Sequence, residues 1–381
     1  MSKNIAFFAD GTWNGPDKDD NDDGVPDPTN VFLLFDQLEG DDTPETKLLK
    51  NEQEQMATDA DGTVTQMAKY INGVGDSSNV INKILGGTFG AGMITRIVRG
   101  YTYISRCYEP GDRIYIAGFS RGAYTARALG GMICTLGLLN AKRFDGLEDR
   151  KKAYRLGIAA WIQYRAKSGA PSGLLADVRS SFLNDLRFIT NAELKPGDYL
   201  PDVGIEAIGV WDTVGSLGIP DYNADTGRSD VFQFTNTTLS KKVKKGFHAV
   251  SIDEQRADFV PTLWDPRDGI TQMWFVGAHA DIGGGYPVRK LSNIALMWMA
   301  GQLQQAGLKI KPEFAATLTE DPLGDCHAPW EEDPWRKLPF KGRTIPAGAL
   351  FHPSVGLRRR GRSDYKPASL ALFAESGGVL P

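Results

Sequence analysis

The chain of 381 residues has only three cysteines, and it contains no long apolar run. Cys107, Cys134 and Cys326 are widely separated and match neither a disulfide framework nor a metal-binding spacing, so we interpret them as reduced packing residues. No segment approaches the roughly 18 to 20 apolar residues that a membrane-spanning helix needs. The first residues run directly into a short strand-like segment rather than a signal-peptide core. The sequence therefore predicts synthesis in the cytoplasm, with no signal peptide and no transmembrane segment.

An excess of positive charge is also missing. The 43 Lys and Arg residues are outnumbered by 47 Asp and Glu residues, which gives a formal net charge of −4 at pH 7. Such a chain has no overall basic field to neutralise phosphates, and this excludes nucleic acid as an expected partner. Its 41% hydrophobic content excludes a disordered or fibrous chain.

Four short apolar runs have the character of buried parallel strands, and segments with helical spacing lie between them. Strands that alternate with helices predict an α/β fold with a mostly parallel central sheet and helices on both faces. We expect a single α/β-hydrolase-like domain over residues 1–381, with a helical insertion at about 141–200 and a polar insertion at about 220–245. The four runs are Ile5–Ala9, Ile114–Ala117, Ile205–Trp211 and Met273–Val276.

The strongest motif is G-x-S-x-G at residues 118–122, between a predicted strand and a predicted helix. In this context the serine sits on a turn so tight that side chains two residues away would collide, and Gly118 and Gly122 remove those collisions. The motif predicts that Ser120 is an exposed nucleophile. The alternative is a glycine-rich turn that carries an idle serine.

A nucleophilic serine needs a base, and in this fold class the base follows the serine and the acid in chain order. Four histidines are available. His279 follows the predicted strand at 273–276, and catalytic groups gather at the carboxyl ends of such strands. We therefore expect His279 to be the base and keep His248 as the alternative. If His248 is not the base, we expect it to be a hydrogen-bonded histidine inside the fold.

The same rule selects the acid. Asp212 directly follows the predicted strand Ile205–Trp211 and lies between Ser120 and His279 in the chain. We expect it to orient the histidine, and its alternative role is a capping carboxylate in a loop. The carboxylates that compete for the role are Asp202, Asp253, Asp258 and Asp281.

Two backbone N–H groups are expected to form the oxyanion hole. The first belongs to Arg121, at the start of the helix that follows the serine. The second is expected from the loop after the first strand, from Gly11 or Thr12. A plain β-turn explains the Asp-Gly pair at 10–11 equally well.

These residues together predict a serine esterase that works through an acyl-enzyme and needs no cofactor for its chemistry. A hydrolase of soluble esters or peptides is the first alternative. A non-catalytic calcium-binding or interaction module on a hydrolase shell is the second.

Several segments resemble one family in particular. They are DGTWN at 10–14, Thr29-Asn30-Val31, GFSRGAYTAR at 118–127, GVWDTVGS at 209–216, HAVSIDEQRADFVPTLW at 248–264, GAHADIGGGYP at 277–287 and HPSV at 352–355. This combination is similar to the Tle1-like catalytic domain of bacterial type VI secretion lipase effectors. The resemblance implies a hydrolase of phospholipid esters with Ser120, Asp212 and His279 as its triad. It also implies contact with a membrane surface, export by a type VI system, and a secretion apparatus or immunity protein as partner.

An acidic loop follows the first strand. Asp19, Asn21, Asp23 and Asp27 have the spacing of ligands in an EF-hand-like calcium loop, with Gly24 at the sharp turn. Crowded carboxylates repel each other unless a cation lies among them. The loop therefore predicts a calcium site, although Asn30 at the twelfth position supplies no bidentate carboxylate. A solvated acidic loop is the alternative.

Calcium binding at this loop is expected to raise the melting temperature, because a ligand that binds only the native state stabilises it. Thermal unfolding at millimolar calcium measures the shift, and Asp23→Ala is expected to abolish it. A melting temperature that does not respond to calcium would leave the loop merely solvated.

Overall fold

The structure, a computed structural model, describes residues 2–12, 14–46, 51–73, 88–168, 194–214, 237–333, 335–337 and 340–381, with the backbone alone over 88–91. The strands of these residues are, in chain order, β1 (Asn4–Ala9), β2 (Asp41–Asp42), β3 (Glu52–Thr58), β4 (Val64–Ile71), β5 (Arg113–Phe119), β6 (Leu138–Leu139), β7 (Tyr199–Leu200), β8 (Ile205–Trp211), β9 (Val243–Ser251), β10 (Ile270–Phe275) and β11 (Leu350–Phe351).

The α-helices of the described residues flank these strands. They are α1 (Asn30–Asp36), α2 (Thr88–Cys107), α3 (Arg121–Leu136), α4 (Arg150–Lys167), α5 (His279–Gly283), α6 (Lys290–Gln305), α7 (Pro353–Gly361) and α8 (Ala368–Glu375). Short 3₁₀ turns lie at Ala141–Arg143, Asp145–Leu147, Pro196–Asp198, Phe314–Thr317, Pro329–Glu331 and Trp335–Lys337. No helix of the described residues is long and apolar enough to cross a membrane.

Nine strands form one sheet in the order β11-β10-β9-β8-β5-β1-β4-β3-β2. All neighbours from β11 to β4 are parallel, and β3 runs antiparallel to both β4 and β2. The expected mostly parallel sheet is confirmed. Because these strands run in the same direction, the carboxyl ends of β1, β5, β8 and β10 lie at one edge of the sheet.

Side chains of each central strand alternate between two hydrophobic layers, as the pleat of a strand requires. On β1, Ile5 and Phe7 join the layer under α2, α3 and α4, whereas Ala6 and Phe8 join the layer under α1, α6, α7 and α8. The sheet is therefore covered on both faces, which confirms the predicted helix-covered architecture.

The predicted strand runs coincide with β1, β5, β8 and β10, apart from Val276 just beyond β10, but the sequence interpretation missed β3, β4 and β9 as well as the two-residue strands. The polar insertion expected at about 220–245 overlaps β9, which begins at Val243, and most of the insertion lies outside the described residues. Of the helical insertion expected at about 141–200, α4 is described, whereas residues 169–193 lie outside the described residues. The division into one domain with two insertions stays a prediction.

Candidate active site

Ser120 lies between β5 and α3 in a left-handed backbone conformation, with φ 57° and ψ −121°. A Cβ atom at Gly118 would overlap the Gly122 carbonyl oxygen, and one at Gly122 would overlap the carbonyl oxygen of Ala9 at the end of β1. Only glycine allows this close approach. The turn thus has the tight geometry expected of the motif, and it is held against the loop that follows β1.

Asp212 lies at the end of the strand next to the serine. Phe119 pairs with Trp211 in the parallel register, and the Ser120 N–H donates to the Trp211 carbonyl at 3.0 Å. Asp212 is completely buried and also has a positive φ, of 38°. Positive φ values in non-glycine residues are costly and concentrate at functional sites. Both Ser120 and Asp212 carry this feature.

His279 is the first residue of the short helix α5, beyond the end of β10. Its Nδ1 lies 2.5 Å from Asp212 Oδ2. The Asp281 carboxylate accepts the Ala278 N–H at 2.9 Å and so caps this helix. The His279 ring packs against Phe119, with ring centroids 4.6 Å apart, and against Phe259, at 5.0 Å. The structure therefore brings Asp212 and His279 into direct contact and holds His279 against the residue before Ser120.

Arg343 is a further partner of Asp212 that the sequence interpretation missed. Its Nη1 donates to Asp212 Oδ1 at 2.6 Å and its Nη2 to Oδ2 at 2.8 Å. The same guanidinium donates to the carbonyls of Ser251 and Phe259, and the Ser251 N–H donates to Asp212 Oδ1 at 2.9 Å. The carboxylate is therefore held in one orientation by three groups, Arg343, His279 and the Ser251 N–H.

These contacts set the protonation of the pair. Burial alone would raise the Asp212 pKa, but Arg343 and His279 outweigh it and hold that pKa well below its ordinary value. Burial lowers the His279 pKa below its ordinary value of 6.5, against the opposing effect of Asp212. At neutral pH the arrangement therefore favours an ionised Asp212 beside a neutral His279, in which Nδ1 carries the proton and Nε2 is free to accept one.

Glu254 supports the backbone of His279. Its Oε2 accepts the His279 N–H at 3.2 Å, and the carboxylate also binds Arg256 at 2.8 Å and 2.9 Å. The Arg256 guanidinium in turn lies 3.6 Å from the Phe259 ring centroid. In the sequence, only the family resemblance indicated that the segment at 248–264 is important. Nothing in the sequence around Arg343 indicated a role for that residue.

His248, the alternative base, is engaged inside the fold. Its Nε2 accepts the Thr213 N–H at 3.1 Å, and Nδ1 lies 3.4 Å from Gln272 Oε1. Burial lowers its pKa to about 3. Both ring nitrogens therefore have partners in the neutral form, which agrees with the structural alternative for this histidine.

The competing carboxylates are placed differently. Asp202 precedes β8, at the opposite edge of the sheet from Asp212, and pairs with Lys242. Asp253 accepts the Gly277 N–H and the Tyr365 hydroxyl, and Asp281 binds His327 Nδ1 at 2.7 Å. Asp258 lies in the segment after Glu254, whereas Asp212 is the carboxylate that contacts His279 Nδ1.

The expected oxyanion donors differ in their contacts. Arg121 begins α3 directly after Ser120, as expected. The Gly11 N–H is already bound by Asp10 Oδ1 at 2.7 Å, and the buried Asp10 carboxylate is held by Tyr70 and Thr29. Among the described residues no partner takes the buried Thr12 hydroxyl. Because the Gly11 N–H is engaged by Asp10, Thr12 is the remaining candidate donor in the β1 loop.

The acidic loop binds its own backbone. The Asp19 carboxylate accepts the N–H groups of Asp23 and Gly24, and Asp23 accepts from Val25 N and Asn21 Nδ2. Asp27, which is buried, accepts the Asp20 N–H instead. Within the described residues no group of three or more His, Cys, Asp and Glu side chains is arranged to hold a metal ion. The calcium site stays a prediction.

Comparison with known proteins gives a family match and three more distant likenesses. The family model described as "T6SS, Phospholipase effector Tle1-like, catalytic domain" matches residues 3–302. The Saccharomyces cerevisiae protein YEL023C, described as uncharacterized, is 27% identical over 289 residues, which cover 71% of this chain and 34% of that protein. The chain therefore spans about a third of the length of this curated relative.

Two solved structures are similar at lower identity. An uncharacterized protein from Pseudomonas aeruginosa is 20% identical with a TM-score of 0.46, over 84% of this chain and 49% of the other. The Tle1 effector bound to the VgrG spike of the type VI secretion system is 19% identical with a TM-score of 0.36, over 75% of this chain and 51% of the other.

Replacing Arg343 by glutamine is expected to raise the His279 pKa, because the Asp212 charge would then act on the imidazole without a competing cation. Imidazole signals followed by NMR during a pH titration measure the shift. Arg343→Lys retains the charge and is expected to shift the pKa less. Arg343→Gln is also expected to lose about 3 to 5 kcal/mol of unfolding free energy, because it breaks the buried ion pair with Asp212.

Arg358→Gln is the matched control for this titration. Arg358 is likewise buried in the C-terminal part of the chain and donates to the carbonyls of Pro322 and Gly324, away from Asp212. Its replacement is expected to cost stability without moving the His279 pKa. An unchanged pKa in folded Arg343→Gln protein would contradict the assigned coupling.

Proposed function

The chain belongs to the family of type VI secretion phospholipase effectors with a Tle1-like catalytic domain, and from this premise we propose that it is a serine phospholipase with Ser120, His279 and Asp212 as its triad. The observation that carries the proposal is the contact of Asp212 Oδ2 with His279 Nδ1 at the sheet edge where Ser120 directly precedes α3. The left-handed conformation of the serine adds support, because nucleophile turns of this kind are strained.

In the proposed first step, Ser120 Oγ attacks the carbonyl carbon of an acyl ester while its proton moves to His279 Nε2. Asp212 accepts the Nδ1 hydrogen bond and stabilises the imidazolium charge that forms. The carbonyl oxygen becomes an oxyanion, for which we propose the backbone N–H groups of Arg121 and Thr12 as donors.

Collapse of this intermediate breaks the ester bond. The leaving alkoxide takes the proton from His279, and the acyl group remains on Ser120. A water molecule then attacks the acyl-enzyme while it gives a proton to His279 and, when the second tetrahedral intermediate breaks down, that proton returns to Ser120. The products are a fatty acid and a lysophospholipid.

The family description also supports export as a type VI effector, with the secretion apparatus as a partner and a membrane as the substrate surface. Trp161, a large apolar residue of the expected helical insertion, is fully buried in the layer with α2 and α3. It therefore packs the core. Leu174 and Leu175, two further apolar residues of that insertion, lie outside the described residues.

Ser120→Ala, His279→Ala and Asp212→Asn are each expected to lower kcat by on the order of 10⁴-fold while the fold persists, because the three residues act as one unit. Wild-type protein is expected to react with a fluorophosphonate probe, and the Ser120 variant is not. Intact turnover in His279→Ala would move the base to another histidine. A wild-type protein that neither turns over esters nor reacts with the probe would favour the non-catalytic interpretation.

The pH profile of the same assays tests the base. The lowered His279 pKa means that the neutral imidazole persists below pH 6.5. Turnover is therefore expected to be constant from pH 8 to about 6.5 and to fall only at lower pH, as the base becomes protonated.

The substrate class is tested by comparing phospholipid vesicles with short soluble esters. Purified protein is expected to release fatty acid from vesicles faster than it cleaves a short-chain nitrophenyl ester, and mass spectrometry of the lysophospholipid identifies the acyl position. Ser120→Ala serves as the background control. Rapid cleavage of the short ester without lipid release would leave a serine esterase of soluble substrates.

A further inference from the structure

A groove of about 560 Å³ lies between α2, α4 and the strands β3 and β4. Its volume is in the range of small-molecule sites, roughly 300 to 1,000 Å³. None of its described lining residues belongs to the candidate active site. The lining residues that carry the argument are Glu52, Glu54, Lys69, Arg99, Arg106 and Arg150, with Lys151 and Arg155 beside them.

Four of the cations in the groove share two carboxylates. Glu52 binds Lys69 at 3.0 Å and Arg150 at 2.8 Å, with Arg99 at 3.7 Å. Glu54 binds Lys69 at 2.9 Å and Arg106 at 2.9 Å. Burial raises the pKa of Glu52, but Lys69 and the two arginines outweigh it and keep that pKa below its ordinary value. The Glu52 carboxylate is therefore ionised, and both carboxylates are engaged by cations.

Lys151 and Arg155 add two more positive charges to the same lining. They are four residues apart on α4, so they lie on one face of the helix, and both are exposed. Six cationic side chains thus line a groove that contains two carboxylates. The excess of four positive charges in a concave site raises the local concentration of anions.

One side of the groove is less polar. Tyr154 on α4 is hydrogen-bonded to Thr95 on α2 at 3.1 Å, which fixes the two helices against each other. The Tyr103 ring lies under the charges of Lys69 and Arg106, at 5.6 Å and 5.5 Å from its centroid. Together with Ile158, these rings offer an apolar wall beside the cations.

We propose that this groove binds a phosphate-bearing organic anion, separately from the ester-hydrolysing site. Arginine presents a fork of donors that matches the oxygens of a phosphate, and several cations are needed to balance its charge. A carboxylate ligand would satisfy less of the excess. The wall formed by Tyr103, Tyr154 and Ile158 contacts the organic part of the ligand.

The source of that phosphate is either a lipid headgroup or a soluble phosphate ester, and binding measurements distinguish them. Calorimetric titration with inorganic phosphate and with glycerol 3-phosphate at low ionic strength tests the soluble form. Co-sedimentation with phosphatidylglycerol vesicles, against phosphatidylcholine vesicles, tests the headgroup. All proteins in the vesicle assay carry Ser120→Ala, so that the lipid stays intact.

The test variant is Lys151→Gln with Arg155→Gln, which leaves every ion pair of Glu52 and Glu54 in place. The matched control is Lys241→Gln with Lys242→Gln, because both lysines are exposed and lie outside the groove lining. The test variant is expected to bind at least roughly tenfold more weakly, since two charge-assisted contacts are lost, and the control is expected to bind like the parent protein. Added salt is expected to weaken the parent's binding.

Weakening of either binding reaction in the test variant alone supports the proposal. Loss of phosphatidylglycerol binding assigns the groove to a lipid headgroup, whereas loss of glycerol 3-phosphate binding with unchanged vesicle binding assigns it to a soluble phosphate ester. Absence of both reactions in the parent protein, or equal weakening in the control, would overturn the proposal and leave a solvated network of ion pairs. Both readouts measure binding, so the outcome is independent of whether the esterase proposal holds.

Discussion

The candidate site depends on the burial of one negative charge. Asp212 is fully inside the protein, where an ionised carboxylate is costly unless cations and hydrogen-bond donors surround it. Arg343, the Ser251 N–H and His279 supply those groups. The contact between Asp212 and His279 therefore helps to stabilise the buried carboxylate and also fixes the orientation of His279.

Ser251 at the end of β9, His279 after β10 and Arg343 near the C-terminus all contact the Asp212 carboxylate. The geometry of the site therefore follows from the way the sheet brings these distant parts of the chain together. The residues after β5 and β8 are neighbours because the two strands are parallel and in register. The close approach of Gly122 to the end of β1 then places the β1 loop against the serine turn. Small changes in the packing of these strands would move the proposed nucleophile, its oxyanion donors and its acid together.

The C-terminal part of the chain completes this arrangement. The family model matches residues 3–302, yet Arg343 lies beyond that range and donates to a carboxylate 131 residues earlier. The strand and helices after residue 302 also cover the sheet layer that contains α6. The C-terminal segment is thus part of the site's electrostatics as well as of the fold.

The basic groove shows a different use of charge. At Asp212 the opposing charges are buried and closely matched, whereas the groove beside α4 has more cations than its carboxylates can pair. Exposed cations are stabilised by water, so the protein tolerates this excess at little cost. The balanced buried charges around Asp212 and the excess of exposed cations in the groove therefore serve separate roles on the same sheet.

The sequence alone determined four strands of the sheet, β1, β5, β8 and β10, and the position of the serine turn. Buried parallel strands are continuous apolar runs, so β1 and β8 were visible, and the glycines around Ser120 mark a backbone that only glycine permits. The polar strand β3 and the partly polar strands β4 and β9 were missed because their side chains lack that pattern.

The choice of Ser120, Asp212 and His279 as candidate residues also came from the sequence, because each follows a strand end that is recognisable locally. Only the tertiary structure decided which groups neutralise Asp212, that His248 is engaged elsewhere, and that the Gly11 N–H is already bound. The physical reason is that charge compensation and hydrogen-bond satisfaction depend on atoms within a few ångströms. Chain packing, rather than local sequence pattern, brings Arg343 to that distance from Asp212.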